Sequence, residues 1–392
     1  MLIVVAGKNN IAVNITQYLL DNCDERYQLG VVCNRTETGK DAWQKSLRAF
    51  AQKNHVREYE LKEIYSVKDL LFLSLEFDRL LRPDKFLSTR LFNIHFSLLP
   101  KYRGMYTSAL PILHGEHETG VTLHRIDSGI DTGEIIAQRE IQINREDTAR
   151  DLYLKYIYYG TELVKEYLEV LMNGTERSVP QNESEATYYS KDAIDYADIR
   201  IDLDRKAYEI QNQIRAFVFR EYQLPKVCKS YIIDTRITQQ RSAKGAGKIL
   251  YENECAMIVS SQDYNIILYK DQFDELAECC KKGDISRIKE IGIADKSIFQ
   301  RDGEGNNLLI IAAKNNHIEI VEYLLLCGVD IDEENYVGES ALDYADKVYH
   351  DTGDSRMQEL LCDLGAKRGK NKEMRNKRRR VHEFNNIEFI GG

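Results

Sequence analysis

The sequence lacks the features of a secreted, membrane-bound or disulfide-stapled protein. Its 392 residues include eight cysteines, but none forms a CxxC pair and none has the His/Cys spacing of a zinc site. The opening run, MLIVVAGKNN, is too short to span a bilayer and has neither a charged n-region nor a cleavage-site pattern. We therefore expect reduced, mostly buried thiols, a cytoplasmic location and no membrane partner.

Excess positive charge is confined to one segment. The formal net charge of the chain is -9, which gives nucleic acid no general attraction to its surface. Residues 367–380, KRGKNKEMRNKRRR, carry nine basic residues and one acidic residue, so the rest of the chain has a charge of about -17. Charge runs are usually solvated ends, and RNA binding by this basic tail (residues 367–392) is the open alternative.

Residues 1–180 alternate strand and helix patterns, which predicts a mostly parallel, Rossmann-like α/β sheet covered on both faces. The final helix of this segment, TARDLYLKYIYYGTELVKEYLEVLMNG, should end at Gly174. The other predicted elements are the strands LIVVAG, YQLGVVCNR, VKDLLFLSLEF, RLFNIHFS, TGVTLHRID and EIIAQREIQI and the helices AVNITQYLLDN and DAWQKSLRAFAQKN.

Residues 181–262 have a different pattern and predict a small, strand-rich second domain. After a polar loop, IDLDRKAYEIQNQIRAF should form a helix that begins at Asp202 or Asp204. Short strands with intervening turns should follow in YIIDTRI, KGAGKILYENECAMIVSS and YNIILYK.

Residues 263–366 contain an internal repeat. LAECCKKGDI aligns with LIIAAKNNHI at an offset of 33 residues, and LDYADKVY continues at the same offset. A 33-residue period with a small-residue helix, a polar turn and a second apolar helix is typical of ankyrin repeats, here about three. Cys279 and Cys280 align with Ala312 and Ala313, so we expect packing residues rather than a redox pair.

A polar pair interrupts an apolar strand. In NIHFSLLPKYRG, Asn93 and His95 stand two residues apart, so their side chains share one face of the strand while Ile94 and Phe96 face away. Taken alone, such a pair is most simply a strand cap and a satisfied interior histidine. The downstream sequence favours a site instead.

That downstream sequence is a glycine-rich acidic segment. HRIDSGIDTGEII contains Asp127 and Asp131, each close to a glycine. Glycines allow a tight loop at the carboxyl edge of the sheet, where open α/β proteins bind their ligands. We therefore expect the carboxylate of Asp131 to meet the imidazole of His95.

An amide, an imidazole and a carboxylate without a serine or cysteine nucleophile suit direct acyl transfer to an amine. Asn93 would donate a hydrogen bond to the oxygen that becomes negative in the tetrahedral intermediate. His95 would either take the proton of the attacking amine or share in stabilising that oxygen. Asp131 would fix the tautomer of His95 and raise its basicity.

The two motifs together resemble the signature of the formyltransferases that use 10-formyltetrahydrofolate. The matching features are Asn, His, the S-L-L-P turn, Tyr-Arg-Gly and the D-x-G-x-D-x-G segment. The resemblance covers roughly the first 180 residues well and the second domain more weakly. It implies an N-formyltransferase enzyme with 10-formyltetrahydrofolate as the formyl donor, no metal, and Asn93, His95 and Asp131 as the catalytic trio.

The resemblance also implies where the folate binds. SLEFDRLL should form the loop that holds the pterin, largely through main-chain groups. Asp127 either lines the folate pocket or only stabilises its own loop. The expected cofactor contacts are Leu75, Phe77, Leu81, Asp127 and Asp131.

Two segments near the catalytic strand are candidates for binding the acceptor. The turn GKNN is not GxGxxG, but it places Lys8 and Asn9 at a helix N-terminus, where a diphosphate could bind. Tyr102 and Arg103 follow the catalytic strand directly. Arg103 is either a substrate contact or a structural clamp for the turn.

A third candidate segment lies in the second domain. IRAFVFREYQLPK resembles the Arg-Ala-Phe…Tyr stretch of the nucleotide-sugar N-formyltransferases. Arg215 and Arg220 could meet phosphates, and Tyr222 could stack on a pyrimidine base. Core packing is the alternative for Phe217 and Phe219.

Three acceptors compete: a purine-pathway amine, a charged tRNA and an amino sugar on a nucleotide. A purine enzyme needs only the first domain, and a tRNA enzyme favours a basic second domain, whereas residues 181–262 are mixed in charge. The resemblance implies that the acceptor is a dTDP-linked amino-dideoxy sugar used in the biosynthesis of surface polysaccharide (lipopolysaccharide O-antigen). The first candidate is dTDP-3-amino-3,6-dideoxyglucose. The alternatives are dTDP-4-amino-4,6-dideoxyglucose, methionyl-tRNA and a non-catalytic ankyrin interaction protein. A homodimer is expected, and the ankyrin repeats could bind a protein or a small ligand.

Overall fold

The computed structural model describes residues 1–291 and 296–369. The chain divides into two compact units. One comprises Met1–Tyr251 and Ile258–Leu268, and the other comprises Glu252–Met257 and the chain from Tyr269 onward.

The strands of the described chain are, in order, β1 (Leu2–Gly7), β2 (Gln28–Cys33), β3 (Arg57–Glu58), β4 (Leu70–Leu75), β5 (Leu91–His95), β6 (Arg103–Gly104), β7 (Glu118–Arg125), β8 (Ile135–Gln142), β9 (Tyr188–Tyr189), β10 (Lys226–Val227), β11 (Ser230–Arg241), β12 (Ile249–Glu252), β13 (Ala256–Val259) and β14 (Tyr264–Lys270).

Its α-helices are α1 (Asn9–Asn22), α2 (Leu47–Lys53), α3 (Leu110–Leu113), α4 (Ala149–Asn173), α5 (Ala207–Phe217), α6 (Phe273–Lys282), α7 (Ile285–Ile291), α8 (Leu308–Lys314), α9 (Ile318–Leu326), α10 (Ala341–Thr352) and α11 (Arg356–Asp363).

The main sheet of the first unit has seven strands in the order β3-β2-β1-β4-β5-β7-β8. The strands from β3 to β5 run parallel, and β7 and β8 are added antiparallel. The chain order reverses beside β1, and ligands bind in open sheets of this kind at the carboxyl edge. The predicted mostly parallel α/β sheet is confirmed.

Both faces of this sheet are buried, as β1 illustrates. Ile3 and Val5 belong to one hydrophobic cluster, which includes residues of α1 and α4. Leu2, Val4 and Ala6 belong to a second cluster on the other face. Because side chains alternate along a strand, the continuous apolar run LIVVA is what a strand covered on both sides requires.

The longest helix, α4, has the predicted stop signal. It begins after Thr148, whose hydroxyl accepts a hydrogen bond from the backbone of Asp151. It ends at Gly174, which adopts φ 65, a left-handed conformation that glycine reaches without strain. The predicted end of this helix is confirmed.

The second predicted helix begins later than expected. DAWQKSLRAFAQKN is helical only from Leu47 to Lys53, because Ser46 caps the helix by accepting from the backbone of Ala49. Asp41 accepts from the backbone of Ser46 and holds the preceding segment as a loop. That loop contains Trp43, which packs in an aromatic cluster of the first unit.

Helix α5 also begins later than expected, at Ala207 rather than near Asp202 or Asp204. Asp202 instead accepts from the backbone of Asp204 and pairs with Arg205, which closes a turn before the helix. The helix then packs into the same hydrophobic cluster as the main sheet, through Ala216 and Phe217.

The strand-rich region is a five-stranded sheet in the order β10-β11-β14-β13-β12. The predicted strand segments all contribute to it, β10 is an unpredicted addition, and β14 ends at Lys270 as the pattern YNIILYK predicts. The boundary expected at residue 262 therefore falls inside this sheet. Near the other expected boundary, β9 pairs with β6 next to the catalytic strand, so the segment after residue 180 contributes to the first unit.

The second unit consists mainly of helix pairs at the predicted 33-residue offset. Leu276, Leu309 and Leu342 occupy equivalent positions in α6, α8 and α10, and each is at most 1% exposed. Cys279 and Cys280 are buried in the same hydrophobic cluster and are free thiols, as a packing role requires. The predicted helical repeat is confirmed.

Three expectations concern the rest of the chain. Most of the basic tail, residues 370–392, lies outside the described residues. Among the described residues, no helix combines the length and apolar character needed to cross a bilayer. None of the eight cysteines, all of which lie among the described residues, forms a disulfide, and Cys228 and Cys362 are exposed, so the thiols are less uniformly buried than expected.

Candidate active site

The structure brings Asn93, His95 and Asp131 together at the carboxyl edge of the main sheet. Asn93 and His95 lie on β5, and Asp131 lies in the loop between β7 and β8. Nδ1 of His95 is 3.4 Å from Oδ2 of Asp131, and Nδ2 of Asn93 is 3.5 Å from Oδ1 of the same carboxylate. The expected meeting of the carboxylate and the imidazole is thus present.

Asp131 is held in an uncommon backbone conformation, with φ 55. Its carboxylate accepts a hydrogen bond of 2.9 Å from the backbone N–H of Gly104. Burial alone would raise the pKa of Asp131, but His95, His124 and the Gly104 N–H together outweigh it and lower that pKa. The carboxylate therefore stays charged and can support a neighbouring positive charge.

Both ring nitrogens of His95 face oxygen atoms. Nε2 is 2.7 Å from the carbonyl oxygen of Tyr102, which can only accept, so Nε2 carries a proton. Nδ1 faces the Asp131 carboxylate. These two neighbours fix the orientation of the ring in the site.

His124 is a site residue that the sequence analysis missed. It lies on β7 directly opposite Asn93 in the antiparallel register. Its Nδ1 is 2.8 Å from the carbonyl oxygen of Arg125, and its Nε2 is 3.0 Å from Nδ2 of Asn93 and 3.6 Å from Asp131. The first residue of the quoted HRIDSGIDTGEII motif was the available signal.

Gln181 is a second residue that the sequence analysis missed. Its Nε2 donates to the carbonyl oxygens of Asp131 (2.8 Å) and Gly133 (2.7 Å), while its Oε1 accepts from Arg103 at 3.1 and 2.7 Å. Arg103 is 6% exposed and also pairs with Glu183 at 2.6 Å. The alternative of Arg103 as a structural clamp therefore fits, and the clamp connects the catalytic turn to the Asp131 loop.

A cleft of about 730 Å³ opens over these groups. Asn93, His95 and His124 line it, and two loops, residues 76–81 and 126–131, supply much of its wall. Of the expected cofactor contacts, Phe77, Leu81, Asp127 and Asp131 are among the lining residues.

Leu75 is the one expected folate contact that does not line the cleft. Its side chain is 1% exposed in the hydrophobic core, and its carbonyl oxygen accepts from the backbone of Lys8. Asp127 lines the cleft and also accepts from Gly129 (3.0 Å) and Thr132 (2.6 Å) within its own loop.

Two expected acceptor contacts are buried. The hydroxyl of Tyr102 donates to Glu116 and lies 3.1 Å from His114, and its ring stacks on Tyr189. Tyr102 is 7% exposed and absent from the cleft wall, so its contribution to the site is its carbonyl group.

Arg215 is likewise 7% exposed, and its guanidinium donates to Asn212 and to the carbonyl oxygens of Asn144 and Asp147. It holds helix α5 against the loop before α4. It is therefore not available for a phosphate.

Lys8, Asn9 and Tyr222 lie beyond the cleft wall but are connected to it through Glu76. Asn9, with φ 65, donates to Glu76 (3.2 Å) and to Tyr153 (3.0 Å), and Glu76 lines the cleft. Tyr222 is 59% exposed and packs against an aromatic cluster. The other members of that cluster are Trp43, Tyr153 and Phe219.

The described residues contain no group of three or more His, Cys, Asp or Glu side chains placed to hold a metal ion. What the site offers is an amide, an imidazole and a carboxylate in the wall of one cleft on a Rossmann-like sheet. Fold and site together define an enzyme of the acyl-transfer class.

Comparison with known proteins agrees with this class. The family model described as formyl transferase matches residues 32–168, and the model for ankyrin repeats in three copies matches residues 276–371. Among curated relatives, the methionyl-tRNA formyltransferase of Staphylococcus aureus (strain MW2) is 31% identical over 216 residues, which cover 54% of this chain and 69% of the relative. That of Alkaliphilus oremlandii (strain OhILAs) is 29% identical over 285 residues, which cover 67% of this chain and 89% of the relative.

Two solved structures are more similar in sequence. WlaRD, a sugar 3N-formyl transferase crystallised in the presence of dTDP and 5-N-formyl-THF, is 44% identical with a TM-score of 0.65, and the match covers 69% of this chain and 97% of that chain. The N-formyltransferase from Helicobacter canadensis, in complex with folinic acid and dTDP-3-aminofucose, is 44% identical with a TM-score of 0.64 and coverages of 69% and 98%. The present chain belongs to the formyltransferase family and carries ankyrin repeats.

Proposed function

We propose that this enzyme transfers the formyl group of 10-formyltetrahydrofolate to the 3-amine of a dTDP-linked 3-amino-dideoxy hexose, first of all dTDP-3-amino-3,6-dideoxyglucose. The observation that carries the proposal is the convergence of Asn93, His95 and Asp131 in the wall of one cleft. The choice of sugar is supported by WlaRD, a sugar 3N-formyl transferase, and by the Helicobacter canadensis enzyme, which is in complex with dTDP-3-aminofucose.

The trio has complementary roles in this reaction. As the amine adds to the formyl carbon, the formyl oxygen becomes negative, and an N–H of Asn93 donates to it. His95 contributes its positive charge to the same oxygen, and Asp131 keeps the ring charged and in place. We choose the second role for His95 because both of its ring nitrogens face oxygen atoms.

The cleft is the place we propose for the folate. Loop 76–81 and loop 126–131 flank it, and the side chains of Phe77 and Leu81 give an apolar wall against a pterin ring. Folinic acid and 5-N-formyl-THF accompany the two similar solved structures, which supports a folate as the formyl donor here.

The nucleotide is proposed to bind beside Glu76. Tyr222 is the exposed member of its aromatic cluster, so its ring is free to stack on thymine. Lys8 and the N-terminus of α1 offer positive charge and backbone N–H groups to the diphosphate.

The remaining assignments follow from the biosynthetic role. Formylated dTDP-sugars would supply surface polysaccharide, such as the O-antigen of lipopolysaccharide, from the cytoplasm, and free cysteines suit that compartment. We also propose a homodimer and an ankyrin unit that binds a protein or small ligand; mass measurement in solution tests the dimer.

The function is tested by incubating the full chain with 10-formyltetrahydrofolate and a panel of acceptors. The panel contains dTDP-3-amino-3,6-dideoxyglucose, dTDP-3-aminofucose, dTDP-4-amino-4,6-dideoxyglucose, a UDP-linked amino sugar and charged initiator tRNA. We expect a mass gain of one formyl group on the 3-amino dTDP-sugars. Formylation of the tRNA alone would replace this function with that of a methionyl-tRNA formyltransferase. Formylation of the 4-amino sugar alone would mean that the enzyme acts on the 4-amine instead of the 3-amine.

A further inference from the structure

The trio leaves one chemical requirement unmet. An aliphatic amine is mostly protonated near neutral pH, and only the free base can attack a formyl carbon. Asn93 has no proton affinity, both ring nitrogens of His95 face oxygens, and the pKa of Asp131 is lowered because His95, His124 and the Gly104 N–H outweigh its burial. The incoming amine therefore needs another group in the cleft to receive its proton.

Glu76 is positioned for that task. Strands β4 and β5 pair in parallel through Ser74–Asn93 and Leu75–Ile94, so Glu76, the next residue, lies at the level of His95. It lines the same cleft as the trio. Its φ of 57 is an uncommon, left-handed conformation for a non-glycine residue, and such conformations cluster at functional sites.

The partners of the Glu76 carboxylate are mostly neutral. The hydroxyl of Tyr153 lies 2.9 Å from each carboxylate oxygen, and Nδ2 of Asn9 lies 3.2 Å from one of them. No lysine, arginine or histidine of the described residues comes within ion-pair distance of this carboxylate, although Lys8 acts on it from farther away. A half-buried carboxylate with no close cation can take the ammonium group of a ligand as its charge partner.

The titration of Glu76 is consistent with a proton acceptor. Burial raises its pKa, and the opposing effects of Lys8, Tyr153 and Asn9 do not cancel that rise. Tyr222 is the other titratable group that interacts with it electrostatically. Its pKa thus lies above that of a solvated glutamate, which is the direction of change that favours a general base.

We propose that Glu76, held by Asn9 and Tyr153, binds the ammonium group of the acceptor and removes its proton. This proposal rests on the proposed function. The carboxylate takes one proton from the ammonium, and the free amine adds through its lone pair to the formyl carbon. The bond between that carbon and N10 of the folate then breaks, and N10 keeps the bonding electrons and gains a proton from the new amide nitrogen. Glu76 finally releases the proton that it took to solvent.

The first test compares Glu76→Gln with wild type in formyl transfer at a series of pH values. We expect kcat/KM for the amino sugar to fall about a hundredfold or more at pH 7. The deficit should shrink as pH rises, because more of the acceptor then arrives as free amine. Folate affinity should be unchanged, and Glu140→Gln, an exposed carboxylate change on β8, should match wild type.

Two further measurements separate catalysis from structure. Exogenous acetate should partly restore turnover by Glu76→Ala, which a merely structural defect does not allow. In calorimetry without folate, wild type should bind the amino sugar nucleotide at least tenfold more tightly than the analogue with a hydroxyl in place of the amine, and Glu76→Gln should lose that preference.

The outcomes are distinct. A Glu76→Gln enzyme that equals wild type, or a deficit that is constant across pH together with no acetate rescue, overturns the role of Glu76. An absence of amine preference in wild-type binding overturns it without any turnover being needed. Wild type that formylates no amino sugar in the panel refutes the proposed function instead, and the calorimetric comparison still reports on Glu76.

Discussion

Nδ2 of Asn93 lies 3.0 Å from Nε2 of His124 across the β5–β7 pair. The carbonyl oxygen of Arg125 accepts from Nδ1 of His124, and in the singly protonated ring the lone pair on Nε2 then accepts from the amide. Together with the Asp131 carboxylate, this lone pair excludes the flipped amide, whose oxygen would face two acceptors. The NH2 group that must donate to the formyl oxygen is thus oriented before substrate binds.

This orientation predicts a graded response to changes at His124. His124→Met removes the acceptor, and we expect kcat to fall about five- to tenfold, the size of one net hydrogen bond, while KM for folate stays constant. His124→Gln supplies a side-chain oxygen that can accept from Asn93 and should recover most of the rate. Steady-state kinetics of the two variants checks this, and equal losses in both would contradict the orienting role.

Gln181 provides the second prediction. Gln181→Met keeps the length of the side chain but removes the hydrogen bonds to Asp131, Gly133 and Arg103. Asp131 should then shift from its left-handed position, and we expect kcat to fall roughly ten- to a hundredfold, because small misplacements of catalytic groups are costly. Kinetics at saturating folate measures the effect.

The matched control for that experiment is Gln142→Met, at an exposed position on β8. It should have the kcat of wild type. Gln181→Glu keeps the acceptor for Arg103 but places an oxygen against two carbonyl oxygens, so it should be as slow as Gln181→Met. A Glu variant with the wild-type rate would mean that Gln181 matters only through Arg103.

The buried carboxylate of Glu76 predicts a pH-dependent stability. Burial raises the pKa of Glu76 in the folded state. Below the unfolded pKa of about 4.3, both the folded and the unfolded state hold the proton. As pH rises from there through the folded pKa, the wild type loses stability. The free energy of unfolding of Glu76→Gln relative to wild type should therefore increase between pH 4 and pH 8.

Trp43, the single tryptophan of the chain, packs against Tyr153 and reports unfolding of this unit by fluorescence. Urea titrations at several pH values would give the difference between variant and wild type. A difference that does not change with pH would show that the charge of Glu76 is not buried in the folded protein.

The repeat unit gives a stability prediction of its own. Leu309 is 1% exposed at the helix-packing position shared by all three repeats, so Leu309→Ala should lower the free energy of unfolding of this unit by about 2–5 kcal/mol. Leu326 is 85% exposed, and Leu326→Ala should stay within about 0.5 kcal/mol of wild type. Denaturation followed by circular dichroism compares them, and equal effects would contradict the packing described here.

Parts of this architecture follow directly from sequence pattern. The side-chain alternation in LIVVAG and the 33-residue offset set the sheet and the repeats, because burial depends on the period of apolar residues. The i, i+2 spacing placed Asn93 and His95 together, and the glycines beside Asp131 predicted its loop. His124 could have been found from the same motif, since β7 brings it opposite Asn93.

Other parts of the site depend on features that a sequence does not display. The partner of His95 is the carbonyl of Tyr102, and every residue type has a carbonyl. Gln181 lies in a polar segment 50 residues beyond Asp131, and only the fold brings the two together. Arg215 looked suited to phosphate, but burial against Asn144 and Asp147 uses its donors for structure.

The account rests on Asn93 as a donor to the formyl oxygen, and Asn93→Ala tests it most directly. The measurement is kcat for formyl transfer to the 3-amino dTDP-sugar, alongside the unfolding midpoint of the variant. We predict a loss of about a hundredfold or more, equivalent to about 3 kcal/mol, with the midpoint unchanged. A folded Asn93→Ala enzyme that turns over within threefold of wild type would contradict it.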